Sequence, residues 1–291
     1  MSWTIIGAPL NSSARRGGEE LAPAVLREAG LLERLGAEDD GDIASRVGPA
    51  ERDAASGVLG LPGLLAAGDE LRDRVDAVMA SGRRPLVVGG DCSLLIGVGF
   101  ALRHRLERPG LWFVDGHTDT YDGVTSPTGE AADMELGALT GRGPAQLTAG
   151  APDGPLIAPE RVVVLGHRHP DDAEDASELD LVDPGVTLVD VRTLRARGAG
   201  RTAREAEGRL GDGADGVWLH VDLDVLDREA LPAVSYPQGG GLSWEELDEL
   251  IAPLAESRHL VGASVADLNP DLDPARRHAT SVVELLARAL G

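Results

Sequence analysis

The stretch Leu111 to Asp119, L-W-F-V-D-G-H-T-D, constrains this chain more than any other. Its apolar run follows a Pro-Gly turn and is too short for a globular helix, so it reads as a buried strand that ends abruptly in polar residues. Asp115, His117 and Asp119 occupy alternate positions. Alternate side chains of an extended segment point the same way, so the three can converge on one point. Two carboxylates and an imidazole suit a hard or borderline divalent cation such as manganese.

Two other stretches repeat the design. Leu219 to Asp227, L-H-V-D-L-D-V-L-D, sets Asp222 and Asp224 two apart, on one face of an apolar strand. A solvated edge strand would carry the same acidic face, but Val221, Leu223, Val225 and Leu226 look like core. His220 could share the face of Asp222, although strand packing suits it better. Pro85 to Ser93, P-L-V-V-G-G-D-C-S, is again strand, glycines, then polar groups. Carboxylates this dense repel one another unless cations lie between them.

Between these blocks strand and helix signals alternate. Strands are expected at Trp3 to Ala8, Arg161 to Leu165, Val186 to Val191, Val217 to Val221 and Leu260 to Leu268. Helices are expected at Glu19 to Leu35 with a break at Gly30, Asp69 to Ala80, Ser93 to about Leu106, Met134 to Leu139, Thr202 to Leu210, Trp244 to Leu254 and Pro274 to Leu290. Ser243 and Glu246 form a capping box for the Trp244 helix. Gly36 to Gly57, polar and acidic, reads as a surface excursion, and Gly116 to Ala132 as a loop. The expected fold is α/β, a three-layer α/β/α domain over residues 1–291 with a central, mostly parallel sheet. Ligands bind such sheets at the carboxyl ends of the strands, where all three blocks put their polar residues.

Charge narrows the partners. The net charge of -22, from 49 acidic against 27 basic residues, disfavours nucleic acid and anionic membrane surfaces and suits a small cationic substrate. The chain has no lysine, which removes Schiff-base chemistry and lysine-dependent phosphate loops. One cysteine excludes an internal disulfide. The start, M-S-W-T-I-I-G-A-P, lacks a basic region followed by a long apolar segment, so a cytoplasmic protein without a transmembrane helix is the expectation. Oligomeric state stays open, a homo-oligomer among the options.

The three blocks together resemble the ureohydrolases, the arginases, agmatinases and their relatives. The family pattern G-G-D-H-S, D-A-H-x-D and D-x-D-x-x-D-P appears here as G-G-D-C-S, D-G-H-T-D and D-L-D-V-L-D, in the same order and at similar separations. The resemblance implies an arginase-like fold and two manganese ions. Asp115 and Asp222 match the bridging carboxylates, His117 and Asp224 match ligands of one ion, and Asp119 matches a ligand of the other. Cys92 stands where that second ion normally has histidine. A thiolate would favour a softer ion and a neutral thiol is a poor ligand, so manganese is expected to be weak or absent there. Cys92 could equally be a small buried residue filling space.

The resemblance also implies the substrate contacts. Thr128 falls at a carboxylate-binding hydroxyl of arginases, Asp171 matches an aspartate that receives the α-amino group, and Tyr121 replaces a carboxylate-binding asparagine. A plain loop residue and a helix N-cap are the bland alternatives for Thr128 and Asp171. At the reacting end Ala132 replaces a histidine linked to proton transfer, and Asp267 replaces a glutamate that receives the guanidinium. Asp119 and Asp267 are thus the candidate catalytic carboxylates. A side chain one methylene shorter leaves room for an extra substrate atom. In these departures the chain resembles the branch that hydrolyses Nω-hydroxy-L-arginine to L-ornithine and hydroxyurea for D-cycloserine biosynthesis. The alternatives are a conventional arginase or another guanidino-acid hydrolase, and, in a different class, a metal-poor binding or redox-sensing protein.

Overall fold

Apolar residues at alternate strand positions build two cores, one on each side of a single sheet. The computed structural model describes residues 2–13, 17–48, 51–171, 173, 177–211 and 213–291. Its strands are β1 (Trp3–Ala8), β2 (Glu38–Asp42), β3 (Arg84–Gly89), β4 (Pro109–Val114), β5 (Val162–Leu165), β6 (Thr187–Val189), β7 (Gly216–Asp222) and β8 (Leu260–Ala266). They form one eight-stranded sheet in the order β2-β1-β3-β8-β7-β4-β5-β6. Every pairing between these strands is parallel.

The helices are α1 (Ala22–Glu28), α2 (Leu31–Leu35), α3 (Leu61–Ala80), α4 (Leu94–Arg105), α5 (Glu135–Leu139), α6 (Val191–Arg197), α7 (Ala199–Gly211), α8 (Trp244–Ala255) and α9 (Arg277–Leu290). Trp3, Ile5, Leu86, Val88, Trp112, Val114, Leu219 and Val221 face a core completed by α1, α2 and α6 to α9. The alternate residues Ile6, Val87, Leu111, Phe113, Val164 and Trp218 face the other core, against α3, α4 and α5. The fold is therefore the expected three-layer α/β/α arrangement, with a sheet that is parallel throughout. Ser243 and Glu246 make both bonds of the capping box at the start of α8. Gly30, at φ 90°, separates α1 from α2 as its position suggests.

Some boundaries differ from expectation. The stretch Gly36 to Gly57 is not wholly a surface excursion, because Glu38–Asp42 pairs in parallel with β1 and forms one edge of the sheet. Edge pairing needs only the backbone, so the acidic side chains stay largely exposed. Residues 49–50 of that stretch lie outside the described residues. Helix α3 begins at Leu61, a full two turns before Asp69, with Pro62 in its first turn where its missing N–H costs nothing. The terminal helix begins at Arg277 rather than Pro274, after Asp273 accepts from the N–H groups of Arg277 and Ala279. Among the described residues no helix is long and apolar enough to cross a membrane.

Candidate metal centre and substrate cavity

The four central strands β3, β8, β7 and β4 deliver the acidic groups side by side. β3 runs into Asp91 and Cys92, β8 into Asp267, β7 into Asp222 and Asp224, and β4 into Asp115, His117 and Asp119. The three β4 groups do come together, their ligand atoms within 4.8 Å of one another. Strand alternation is not the reason, because β4 ends at Val114. The chain instead turns after Asp115, and Asp119 sits in the left-handed region at φ 44°. The Asp115 carboxylate caps this turn by accepting from the His117 N–H at 2.6 Å.

Gly116 is required here. A Cβ at that position would lie 2.2 Å from Arg168 Nη1 and 2.8 Å from Asp224 Oδ1. Arg168 is buried, and its guanidinium donates to the backbone carbonyls of Asp224 at 2.8 Å and Leu226 at 3.0 Å, and to those of Val225, Gln238 and Gly239 at 3.2–3.3 Å. It therefore fixes the turn after β7. In that turn Leu223–Val225 is 3-10 helix, so Asp222 and Asp224 are brought together by the turn and not by strand pleat. Asp222 Oδ1 accepts from the Asp224 N–H at 2.6 Å. Asp115, Asp222 and Asp224 form a second group of ligand atoms within 4.8 Å.

Cys92 is fully buried and belongs to two such groups, one with Asp115 and His220 and one with Asp222 and Asp267. Its thiol donates to Asp222 Oδ2 at 2.7 Å. Asp267, at φ 70°, takes its backbone position from a 2.8 Å bond between its N–H and the Gly90 carbonyl. Its Oδ1, like Asp115 Oδ2, is buried without a hydrogen-bond partner among the described residues. Burial first and like-charged neighbours second push Asp119, Asp222 and Asp267 well above the ordinary carboxylate range, and Asp115 up to about 8. His117 Nδ1 lies 2.9 Å from Asp224 Oδ2. Burial opposes its charge, but Asp224 and Asp115 outweigh burial and raise it to about 9. Unpaired buried carboxylate oxygens beside an imidazole are a donor set for divalent cations, which would supply the missing positive charge.

Above this floor opens a cavity of about 270 Å3. His117, Asp119, Asp222, Asp224 and Asp267 line it, as do Tyr121 and Thr128. Thr128 does not offer its hydroxyl hydrogen to a ligand: it donates to Asp133 Oδ2 at 2.6 Å, where Ser126 also donates at 2.8 Å. The Asp133 carboxylate accepts both hydroxyl hydrogens, which a substrate carboxylate would need. Tyr121 packs its ring among Val58, Leu64, Ile96 and Met134. Asp171 is outside the lining, exposed and paired with Arg192 at 3.0 Å and His169 at 3.5 Å. The expected α-amino contact is thus not brought to the cavity.

Several lining residues escape a reading of the sequence. Glu130 and Glu178 are buried and line the cavity, Glu130 accepting from the Tyr236 hydroxyl and Glu178 from the Thr120 N–H at 2.8 Å. Glu19 and Asp91 line it as well. Glu135, the first residue of α5, is wholly buried, and burial raises it well above its usual range. These are single acidic residues in ordinary local sequence, so periodicity carries no sign of them.

A model of the arginase family matches residues 1–291. The chain belongs to the arginase family. It is 34% identical to an arginase of Bacillus caldovelox over 99% of this chain and 97% of that protein, and 31% identical to an arginase of Brevibacillus brevis over 100% and 98%. The solved Bacillus caldovelox arginase superposes with a TM-score of 0.91 at 33% identity, covering 100% of this chain and 98% of that one. Members are metal-binding hydrolases that act on amidino or guanidino groups, and this chain is one of them.

Proposed function

We propose that this arginase-family chain hydrolyses the guanidino group of Nω-hydroxy-L-arginine, giving L-ornithine and hydroxyurea. In this reading Asp115 and Asp222 would belong to the ligand sets of two divalent ions. His117 and Asp224 hold one of them, manganese, while Asp119 and Cys92 serve the other. When bound, such ions supply Lewis acidity and bring the pKa of water towards neutrality. The protein's own groups bind and orient the substrate. Glu130 and Glu178, acceptors in the buried wall, suit the α-amino group in place of Asp171. Asp267 receives the guanidine end.

The observation that carries the substrate choice is Asp267 itself. Its short side chain leaves a buried Oδ1 with no partner among the described residues, beside Cys92 and Asp222. An N-hydroxyl can donate to that oxygen and fill the space. It also withdraws electrons, leaving the central carbon more electrophilic and the group less protonated, which suits a site with Ala132 in place of a proton-handling side chain. A conventional arginase is the second reading, supported by the relatives' names at 34% and 31% identity.

Ornithine release under steady state separates the two. The specificity constant for Nω-hydroxy-L-arginine should exceed that for L-arginine by at least about tenfold, or roughly 1.4 kcal/mol of transition-state binding. Equal constants would return the chain to the plain arginase reading.

A further inference from the structure

β7 carries an imidazole that the roles above leave unused. His220 points to the same side of the sheet as Asp222, two residues on, and is completely buried. Its ring stacks on Phe113 with centroids 5.3 Å apart. Nδ1 shares a 2.7 Å hydrogen bond with Ser264 Oγ on β8, which also accepts from Trp218 Nε1 at 2.9 Å. Nε2 faces the metal side and lies 3.2 Å from Cys92 Sγ. One ring nitrogen is thus anchored while the other is directed at a thiol. Metal-ligating histidines show this arrangement, because the anchored nitrogen fixes tautomer and ring orientation.

We propose that His220 Nε2, Cys92 Sγ and Asp115 form a sulfur–nitrogen–oxygen site for one ion of a mixed-metal centre, selective for a thiophilic ion such as zinc or cobalt. The three ligand atoms lie within 4.8 Å of one another. Asp115, fully buried, supplies the independent sign of a missing partner, since its Oδ2 has none among the described residues. To ligate as a thiolate, Cys92 would give up to solvent the proton it now directs at Asp222 Oδ2.

The two halves of the centre then differ in chemistry. Asp115, His117, Asp119 and Asp115, Asp222, Asp224 offer oxygens with a single nitrogen, a set suited to manganese. Thiolate with imidazole and carboxylate is a set that favours zinc in tetrahedral geometry. Asp115 belongs to both ligand groups, so the two sites would adjoin. This inference rests on the metal centre of the proposed function, but it predicts a cobalt or zinc ion where that reading alone allows a weak manganese position.

Metal spectroscopy tests it without turnover. The full chain, stripped of metal and loaded with one equivalent of cobalt(II), should show a thiolate-to-cobalt charge-transfer band. X-ray absorption should find one sulfur at about 2.3 Å together with an imidazole on the same ion. Cys92→Ser should abolish the band. His220→Asn should keep it, remove the imidazole scattering and weaken cobalt binding by at least about tenfold, while manganese uptake persists. Circular dichroism would verify that each variant is folded, and absorption on the unmodified chain decides the matter if either is not. Sulfur without imidazole would reduce His220 to packing, and no sulfur at all would overturn the site. Hydrolysis can be assayed separately: a chain that takes cobalt in this way yet cleaves no guanidine would sink the proposed function and leave this inference standing.

Discussion

His117 Nδ1 and Asp224 Oδ2 stand 2.9 Å apart at the floor of the cavity, an imidazole from the β4 turn against a carboxylate from the β7 turn. The pair contributes to the pH behaviour of the metal-free protein in the same direction as Asp115, whose carboxyl is pushed up to about 8. Asp224 and Asp115 overcome burial and lift His117 from 6.5 to about 9. A folded-state pKa above the unfolded value gives stability that is fully present below pH 6.5 and is lost as pH rises through 9. The chelated protein should therefore melt at lower temperature at pH 9 than at pH 6.5. Metal competes with the same proton, so manganese affinity should rise across that window, with proton release measurable by calorimetry in buffers of different ionisation enthalpy. A pH-independent affinity would exclude His117 as a ligand.

Removing Asp115 or Asp222 should disassemble the proposed centre. Asp115→Asn and Asp222→Asn are each expected to lose bound manganese and at least about a hundredfold in activity, since even outer partners of a metal site are worth roughly 10–100-fold. Elemental analysis of the purified variants checks the first, ornithine release the second. Full metal content in both would contradict the bridging roles.

Asp133 Oδ2 accepts from the hydroxyls of Ser126 and Thr128. Asp133→Asn should free one of them and remove a negative charge, lowering KM for an α-amino acid substrate about fivefold, or about 1 kcal/mol, with little change in kcat. A raised KM would instead make Asp133 a contact for the substrate's ammonium.

Lengthening the guanidine contact should change selectivity. Asp267→Glu carries the carboxylate one methylene further and fills the space left by the aspartate, so the preference for hydroxyarginine over arginine should narrow. Competition between the two substrates in one reaction mixture measures this directly, and an unchanged ratio would detach Asp267 from substrate choice.

Arg168 commits its guanidinium to five backbone carbonyls. Arg168→Met keeps the apolar stem but strands those acceptors, at a cost of about 3 kcal/mol. A lower melting temperature should accompany weaker metal binding at the Asp224 side. Unchanged metal affinity would show that the turn after β7 holds its shape without the guanidinium.

The parallel sheet and the cluster of ligands are legible in the sequence because apolar runs ending in carboxylates leave few alternatives. The means of convergence is not. Spacing of two points to strand pleat, whereas Asp119 at φ 44° and the 3-10 turn at Leu223–Val225 gather the ligands beyond the strand ends. β2 is hidden because E-D-D-G-D has no strand propensity and pairs through backbone alone. Glu130 and Glu178 reach the cavity through tertiary packing that local pattern does not encode. Motif likeness puts Asp171 at the substrate, yet the nearby Arg192 holds it at the surface.

β8 lies between β3 and β7, so the last strand to be made is inserted into the middle of the sheet. During synthesis the first seven strands are present while the two edges that flank the future site remain open, exposed to pairing with other chains. No N-terminal fragment ending before residue 260 can hold Asp267 in place, so the group of Cys92, Asp222 and Asp267 is completed only when β8 is seated. The non-local insertion of β8 between β3 and β7 therefore sets when the last carboxylate joins the cluster.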